Sequence, residues 1–352
     1  MAQVDMEMEI GGQSAPAPES PVRKSTSHRI DFPSAREMRQ LFQEAEVDSL
    51  PRFWQVAGLT SSAEKSLHRL AKWVRTPSKF SSVKVAEFKG PSGTGKTFAV
   101  KALAGEVGDV AHYWELDAGK ILSSYMNEGQ QNMKDFFKTI AKDRLEAYSN
   151  GDKENLIVGI HEGETIGGKR GEDRNFSNVV NALITSLDEL EKEEGRQGRI
   201  LVVFTTNKEL DDTLERRAAA NVVEFKLPTD EGRLTTLISS VNMQMKAQEE
   251  KGHASYFNDE LESVVHGLRD ADEGGKLGVL KDLAKSTEWR SFVKSTAGAS
   301  QADISAAVRT ALEDAEESGK RVGIEDVQAV MQGMMPAIRA RNASDETFRR
   351  VN

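Results

Sequence analysis

The sequence contains no cysteine, and this absence excludes disulfide bridges, thiolate metal sites and cysteine nucleophiles. It also lacks any apolar run of about 18 residues, the length that a membrane-spanning helix needs. Residues 1–9 are acidic and have no apolar core, so we expect no signal peptide. Together these absences predict a cytoplasmic protein, in a reducing compartment, with no membrane-spanning segment.

An excess of positive charge is also missing. The chain has 47 Lys and Arg residues against 56 Asp and Glu residues, which gives a formal net charge of −9. Proteins that coat nucleic acids present strongly basic surfaces, so this balance argues against nucleic acid as a partner. What the chain does have is a hydrophobic content of 38% in 352 residues. That is enough to form cores in about two or three domains.

A glycine-rich stretch lies between an alternating run at residues 83–88 and a helix-prone run at 98–104. It consists of Gly90, Pro91, Ser92, Gly93, Thr94, Gly95, Lys96, Thr97 and the following Phe98. Glycines at this spacing bring backbone N–H groups close to phosphate oxygens at the start of a helix. Lys96 places a cation on the β- and γ-phosphates, and Thr97 offers its hydroxyl to the Mg²⁺ that bridges them. The stretch therefore predicts a nucleotide-binding loop with ATP and Mg²⁺ as ligands.

Apolar runs typical of buried strands alternate with helical patterns up to residue 228. Strands are predicted at 83–88, 112–116, 156–160, 199–204 and 222–225, and helices at 61–74, 133–147 and 176–190. This alternation predicts an α/β fold with a doubly wound parallel sheet of the P-loop NTPase type. Its active edge is expected at the carboxyl ends of the strands. Beyond Pro228 only helices are predicted, at 231–246, 258–268, 277–293, 302–317 and 324–335.

These patterns divide the chain into four parts. Residues 1–48 are expected to be a disordered tail with a short helix at 34–46, and residues 49–228 the α/β domain. Residues 229–338 are expected to be a smaller all-α lid domain with a charged insertion near 248–290, followed by a C-terminal tail at 339–352. The N-terminal tail is either a solvated segment or a recruitment arm for a partner.

The order of motifs resembles the AAA family of ring-forming ATPases, of the AAA+ type, over about residues 50–335. The stretches that carry the likeness are Val56-Ala57-Gly58-Leu59, the phosphate loop with Lys96 and Thr97, Asn207 at a strand end, Arg216-Arg217, and Gly298-Ala299-Ser300-Gln301-Ala302-Asp303-Ile304. The last stretch is similar to the lid motif of the family. The resemblance is strongest to single-module remodellers of the spastin and katanin type.

The resemblance implies roles for individual residues. Ala57, Gly58, Gly298 and Ala299 would line the nucleotide site. Arg216 and Arg217 would reach as arginine fingers into the ATP site of a neighbour, which requires a homo-oligomeric ring that we expect to be hexameric. Asn207 would bond the γ-phosphate or the attacking water.

The second ATP motif departs from the family pattern. The family commonly ends this strand in Asp-Glu, whereas here the pair is His161-Glu162. The Glu162 carboxylate is expected to orient the water that attacks the γ-phosphate, so it is the predicted catalytic carboxylate. An imidazole cannot supply the charge with which the missing acid orients hydrated Mg²⁺. The nearby Glu164 is a candidate for partial substitution, although in the family its register belongs to another acidic residue. We predict an ATP hydrolase whose activity His161 reduces; the alternative is that His161 is only a polar residue at a strand end.

One loop indicates what the energy of ATP hydrolysis is used for. Residues 123–129 include Tyr125 and Met126 and resemble the first pore loop of the family, which grips polypeptide in the central channel. The alternative is that both side chains pack into a local core. The leading hypothesis is a remodeller that threads or dissociates a protein substrate. Two other hypotheses are an ATP-binding oligomeric scaffold that hydrolyses slowly or not at all, and a nucleic-acid loader or helicase.

Overall fold

A computed structural model describes residues 42–45, 49–53, 56, 59, 61–76, 82–117, 130–131, 133–138, 155–167, 174–192, 198–270, 279, 282–283 and 285–351. Within these ranges, no helix has the length and apolar character needed to cross a membrane.

The centre of the described chain is a six-stranded sheet. Its strands are β1 (Phe42–Glu44), β2 (Ser82–Lys89), β3 (Ala111–Asp117), β4 (Asn155–His161), β5 (Arg199–Thr206) and β6 (Val222–Glu224). Their order across the sheet is β1-β3-β4-β5-β2-β6, and all neighbours are parallel except β1, which runs antiparallel to β3. The predicted fold class is therefore confirmed as a parallel sheet with flanking helices.

Helices cover this sheet and continue after it. Those within the α/β part are α1 (Ser61–Arg75), α2 (Lys96–Val107), α3 (Gly163–Gly167), α4 (Arg174–Lys192) and α5 (Asp212–Ala218). Those that follow are α6 (Asp230–Glu250), α7 (Asp259–Asp270), α8 (Thr287–Ser295), α9 (Gln301–Ser318) and α10 (Ile324–Val351). Residues 133–138 are also helical.

Among the described residues, two apolar cores hold many of these elements together. Strands β4 and β5 are buried along almost their whole length because helices cover both faces of a parallel sheet. One core joins β2, α1 and α2, with Phe88, Leu67 and Leu103 all fully buried. A second core joins α6 to α10 around Trp289 and Phe292. The division of the chain into domains at residue 228 stays a prediction.

Two segments differ from the sequence-based expectation. Residues Phe42–Glu44 form an edge strand on β3 instead of the end of the helix predicted at 34–46. Helix α10 runs to Val351, through the segment expected to be a tail at 339–352. The expectation ended this helix at residue 335. In the structure the helix continues through Pro336, because one lost hydrogen bond does not stop a helix that packs against other helices.

Candidate nucleotide-binding site

The phosphate loop lies where β2 ends and α2 begins, at the carboxyl edge of the sheet. Its entry is fixed by neighbouring strands, since Gly90 N–H donates to Thr206 O (3.2 Å) and Phe225 N–H donates to Lys89 O (2.7 Å). A Cβ atom on Gly90 would lie 2.3 Å from Phe225 O. The close approach of this backbone to β6 therefore requires glycine at the first position of the loop.

Two further glycines shape the loop. Gly93 and Gly95 have φ angles of 75° and 80°, a left-handed conformation that residues with a Cβ atom rarely adopt. A Cβ atom on Gly95 would meet nothing within 4 Å, so open space lies beside the backbone at the start of α2. Thr94 is fully buried, and its hydroxyl donates to Pro91 O at 2.7 Å. The loop is thus a pre-formed cradle beside a helix N-terminus, which fits a phosphate chain.

Lys96 occupies this cradle with its ammonium group. The Nζ atom donates to Gly90 O (2.8 Å), Pro91 O (2.7 Å) and Asn207 Oδ1 (2.7 Å), all of which are uncharged oxygens. Burial lowers the pKa of Lys96 to about 8, although the nearby Glu164 carboxylate acts in the opposite direction. A buried cation bonded only to neutral oxygens is a ready partner for phosphate oxygens.

Asn207 links Lys96 to the carboxyl end of β5. It follows the last residue of β5 and donates from Nδ2 to Glu164 Oε1 at 2.9 Å, while its Oδ1 accepts from Lys96. Glu164 Oε2 is buried without a hydrogen-bond partner in the described part of the chain. The structure therefore brings together three of the residues singled out from the sequence.

Glu162 lies at the end of β4 in an unusual conformation. Among the described residues other than glycine, it is the one with a positive φ angle, 54°, and its side chain is exposed. Its carbonyl oxygen accepts from Thr165 N–H at 2.8 Å, which ties the turn to α3. A non-glycine residue in this region costs about 1 kcal/mol or more, and such strain is concentrated at functional sites.

His161 precedes Glu162 and is 16% exposed. Neither ring nitrogen has a hydrogen-bond partner among the described residues. Its Nε2 atom lies 3.7 Å from Glu115 Oε1, too far for a hydrogen bond but close enough for an electrostatic interaction. The imidazole therefore stands beside a carboxylate, at the position where the resemblance predicts an acid.

Glu115 belongs to a polar cluster that was not predicted. Its Oε1 atom accepts from Tyr113 OH (2.8 Å) and pairs with Lys101 Nζ (2.9 Å). Burial by itself would raise the pKa of Glu115, but His161, Lys101 and Tyr113 outweigh it and lower the pKa to about 2. The same surroundings raise the pKa of Tyr113. An acid in the middle of the strand predicted at 112–116 was the available signal for this cluster.

The lid motif touches the phosphate loop directly. Ala302 N–H donates to Gly93 O at 3.1 Å, and a Cβ atom on Gly93 would lie 2.7 Å from Ser300 Oγ. Gly298 has a φ angle of 89°, and Ala299 is fully buried. The predicted site residues of the lid therefore lie in the segment that leads to this contact.

The two predicted arginine fingers have different surroundings on α5. Arg217 pairs with Asp188 Oδ1 of α4 at 2.5 Å and is 30% exposed. Arg216 is exposed, and its Nε donates to the carbonyl oxygen of Asp212 at 3.1 Å. Helix α5 begins at an Asp211 cap, whose side chain accepts from Thr213 N–H. Four other predicted site residues, Ala57, Gly58, Tyr125 and Met126, lie outside the described residues.

The residues of this site suit the phosphates of a nucleotide better than they suit Mg²⁺. Toward Mg²⁺ the loop offers the exposed Thr97, and hard cations prefer oxygen ligands over the imidazole at His161. In the described ranges, no group of three or more His, Asp or Glu side chains is arranged to hold a metal ion. Mg²⁺ in nucleotide sites keeps several waters and binds the phosphates themselves, so one or two protein oxygens are sufficient.

Comparison with known proteins agrees with this geometry. Residues 87–227 match the family model described as ATPase family associated with various cellular activities (AAA). The chain is 28% identical over 207 residues to the ATP-dependent zinc metalloprotease FtsH 2 of Salinibacter ruber, which covers 55% of this chain and 28% of that protein. It is 28% identical over 188 residues to a putative 26S proteasome regulatory subunit homolog of Methanocaldococcus jannaschii, covering 52% and 46%.

A longer match is to protein CdcH of Halobacterium salinarum, with 25% identity over 284 residues, covering 74% of this chain and 36% of that protein. In all three comparisons the matched part is less than half of the relative's own length.

Proposed function

Because the chain carries an ATPase domain of the AAA family, we propose that it hydrolyses ATP as a ring of subunits and uses the energy to remodel or thread a protein substrate. The observation that carries the proposal is the position of Lys96, a buried ammonium with three neutral oxygen partners inside a glycine cradle. The arriving phosphates would take over these hydrogen bonds.

The residues around the cradle have distinct roles in this proposal. Lys96 and the N–H groups at the start of α2 hold the β- and γ-phosphates. Asn207, already bonded to Lys96, holds the γ-phosphate or the water, and the exposed Glu162 carboxylate orients that water. Thr97 would hold Mg²⁺ through its hydroxyl, and the bound ion would supply positive charge against the phosphates.

Support for a protein substrate comes from the relatives and one loop. A zinc metalloprotease and a proteasome regulatory subunit homolog both have names that imply action on proteins. The printed sequence has no zinc-protease motif of the His-Glu-x-x-His type. Tyr125 and Met126 are proposed to grip the substrate, and the hexameric ring and cytoplasmic location remain part of the proposal.

The test is phosphate release with Mg²⁺ present. We expect Glu162→Gln to retain ATP binding and to lose at least 90% of turnover, since removing one catalytic proton acceptor costs about 10²-fold or more. Glu313→Gln is the matched control, because Glu313 is an exposed acid on α9. If neither the wild type nor the control binds ATP, the nucleotide-binding assignment fails.

A second candidate function is an ATP-binding oligomeric scaffold that hydrolyses ATP slowly or not at all. The presence of His161 in place of an acid favours it. On that hypothesis the wild type binds ATP and assembles, but turns over no faster than Glu162→Gln. Equal rates in the two proteins, with binding intact, would therefore replace the motor by the scaffold. Turnover stimulated by DNA or RNA would instead favour the loader.

The pore-loop assignment is tested separately. Tyr125→Ala is expected to leave ATP binding intact and to abolish processing of a model unfolded protein. Met243→Ala, at an exposed apolar position of α6, serves as the control. A Tyr125→Ala protein that processes substrate at the wild-type rate would refute the role of this loop.

A further inference from the structure

The lid motif is held from behind by the C-terminal helix. Arg341 of α10 donates through Nη1 to Asp303 Oδ1 (2.9 Å) and through Nη2 to Asp303 Oδ2 (2.6 Å). The next residue, Asn342, donates from Nδ2 to Gly298 O at 2.8 Å. Two consecutive residues of α10 therefore hold the two ends of the six-residue lid stretch from Gly298 to Asp303.

Asp303 has a second task at the start of α9. Its Oδ2 atom accepts from Ser300 N–H (2.8 Å) and Ser300 Oγ (2.7 Å), and Ser300 Oγ in turn accepts from Asp303 N–H (3.3 Å). This capping box fixes the first turn of the helix. Burial would raise the pKa of Asp303, but Arg341 and Ser300 outweigh it and lower the pKa. The carboxylate thus stays charged and joins α10 to the cap.

The capped turn is also the part of the lid that meets the phosphate loop. Ser300 fills the space that a side chain at Gly93 would need, and Ala302 N–H bonds Gly93 O. A shift of the first turn of α9 would therefore displace the Ala302 and Ser300 contacts with Gly93. Gly93 has a φ angle of 75°, a conformation that residues other than glycine rarely adopt. The chain of contacts runs from Arg341 through Asp303 and Ser300 to Gly93.

We infer that Arg341 and Asn342 are positioning residues for nucleotide binding, and that α10 beyond Pro336 acts on the phosphate loop through the lid. Arg341 is suited to this role because its planar guanidinium matches both carboxylate oxygens of Asp303. The Asp303 side chain is 9% exposed and the Arg341 side chain 46% exposed, so the carboxylate that receives the guanidinium is largely shielded from water. A ligand or partner that engaged the end of α10 would change nucleotide affinity by the same route.

The experiment measures ADP affinity by calorimetry in the full-length protein. Arg341→Gln is expected to raise the Kd for ADP about tenfold, the effect of losing hydrogen bonds to a charged group. Asn342→Ala is expected to raise it less, and Arg341→Lys, which keeps the charge but not the fork, should give an intermediate value. Arg339→Gln is the matched control, because Arg339 is exposed on the same helix.

Thermal unfolding without nucleotide separates this role from general stability. The inference requires that the Kd rises in Arg341→Gln and in Asn342→Ala at a temperature where circular dichroism shows both proteins fully folded. Wild-type affinity in both variants would overturn it while leaving the proposed function intact, and so would an equal loss in Arg339→Gln. A wild-type protein that binds no ADP would overturn both.

Discussion

His161 lies at the position where the resemblance leads us to expect a metal-orienting acid. The side chains around His161 are those that would surround a carboxylate at this position. The Glu115 carboxylate is 3.7 Å from its Nε2 atom, but Lys101 and Tyr113 already bond that carboxylate. A new carboxylate at residue 161 would therefore face a neighbour that keeps two of the three groups that lower its pKa. Lys101 and Tyr113 remain to stabilise the charge of Glu115 when the imidazole is removed.

This environment gives a prediction for His161→Asp. We expect phosphate release to increase about tenfold or more and the Mg²⁺ concentration at half-maximal rate to fall, because carboxylate oxygens suit hydrated Mg²⁺. His161→Asn, which is similar in size but uncharged, is the control and should not increase the rate. If His161→Asp behaves like His161→Asn across a Mg²⁺ titration, the limiting step lies elsewhere.

Glu115 gives a second prediction at this scale. Its pKa is about 2 in the folded protein against 4.5 for a free glutamate, so the folded state prefers the charged form. The resulting stability is present above about pH 4.5 and is lost as the pH falls toward 2, by up to about 3 kcal/mol. Urea unfolding between pH 7 and pH 3 should therefore show a smaller acid loss in Glu115→Gln.

The control for this measurement is Glu313→Gln, which should lose stability in acid as the wild type does. Parallel curves for the wild type and Glu115→Gln would contradict the proposed charge cluster. The sequence predicts Lys96, Asn207 and Glu162 as site residues because their proposed roles follow from strand ends and a contiguous loop. It did not identify Glu115 or Arg341, because their partners are brought close only by the packing of distant elements.

At the scale of elements, the turn from β2 to α2 depends on the backbone that directly follows β6. Gly90 approaches Phe225 O so closely that a Cβ atom at 2.3 Å would force the backbone at Phe225 to move. Gly90→Ala is therefore expected to lower the free energy of unfolding by about 3 kcal/mol, as overpacking against backbone does. Gly319→Ala, at a helix end with φ 69° and open space, should cost only about 1 kcal/mol.

Equal losses of unfolding free energy in the two glycine variants, measured by urea unfolding, would show that the backbone at Phe225 moves aside at little cost.

The arrangement of the elements also explains which of them could be predicted from the sequence. Strands β4 and β5 are continuous apolar runs, so their burial followed from the sequence. Strand β1 has three residues and depends on its pairing with β3, and α10 continues past Pro336 because Met331, Met335 and Ile338 pack into the helical core. Neither effect is visible in local sequence.

At the scale of the whole molecule, the two arginines of α5 test whether chemistry depends on assembly. Adjacent helix residues project about 100° apart, so Arg216 and Arg217 leave α5 in different directions. Arg217 is engaged with Asp188 of its own chain, while the Arg216 side chain is exposed. We therefore expect Arg216 to be the residue that reaches a neighbouring ATP site.

Arg216→Ala should lower phosphate release at least tenfold while the Kd for ADP is unchanged, because arginine fingers act on the transition state. Arg309→Ala, on the exposed side of α9, is the control. Lys96→Ala should also be inactive, through loss of its own site. A mixture of the two inactive variants should regain activity, because one contributes intact ATP sites and the other intact Arg216. No recovery in mixed assemblies, together with turnover per chain that is independent of protein concentration, would show that each chain works alone.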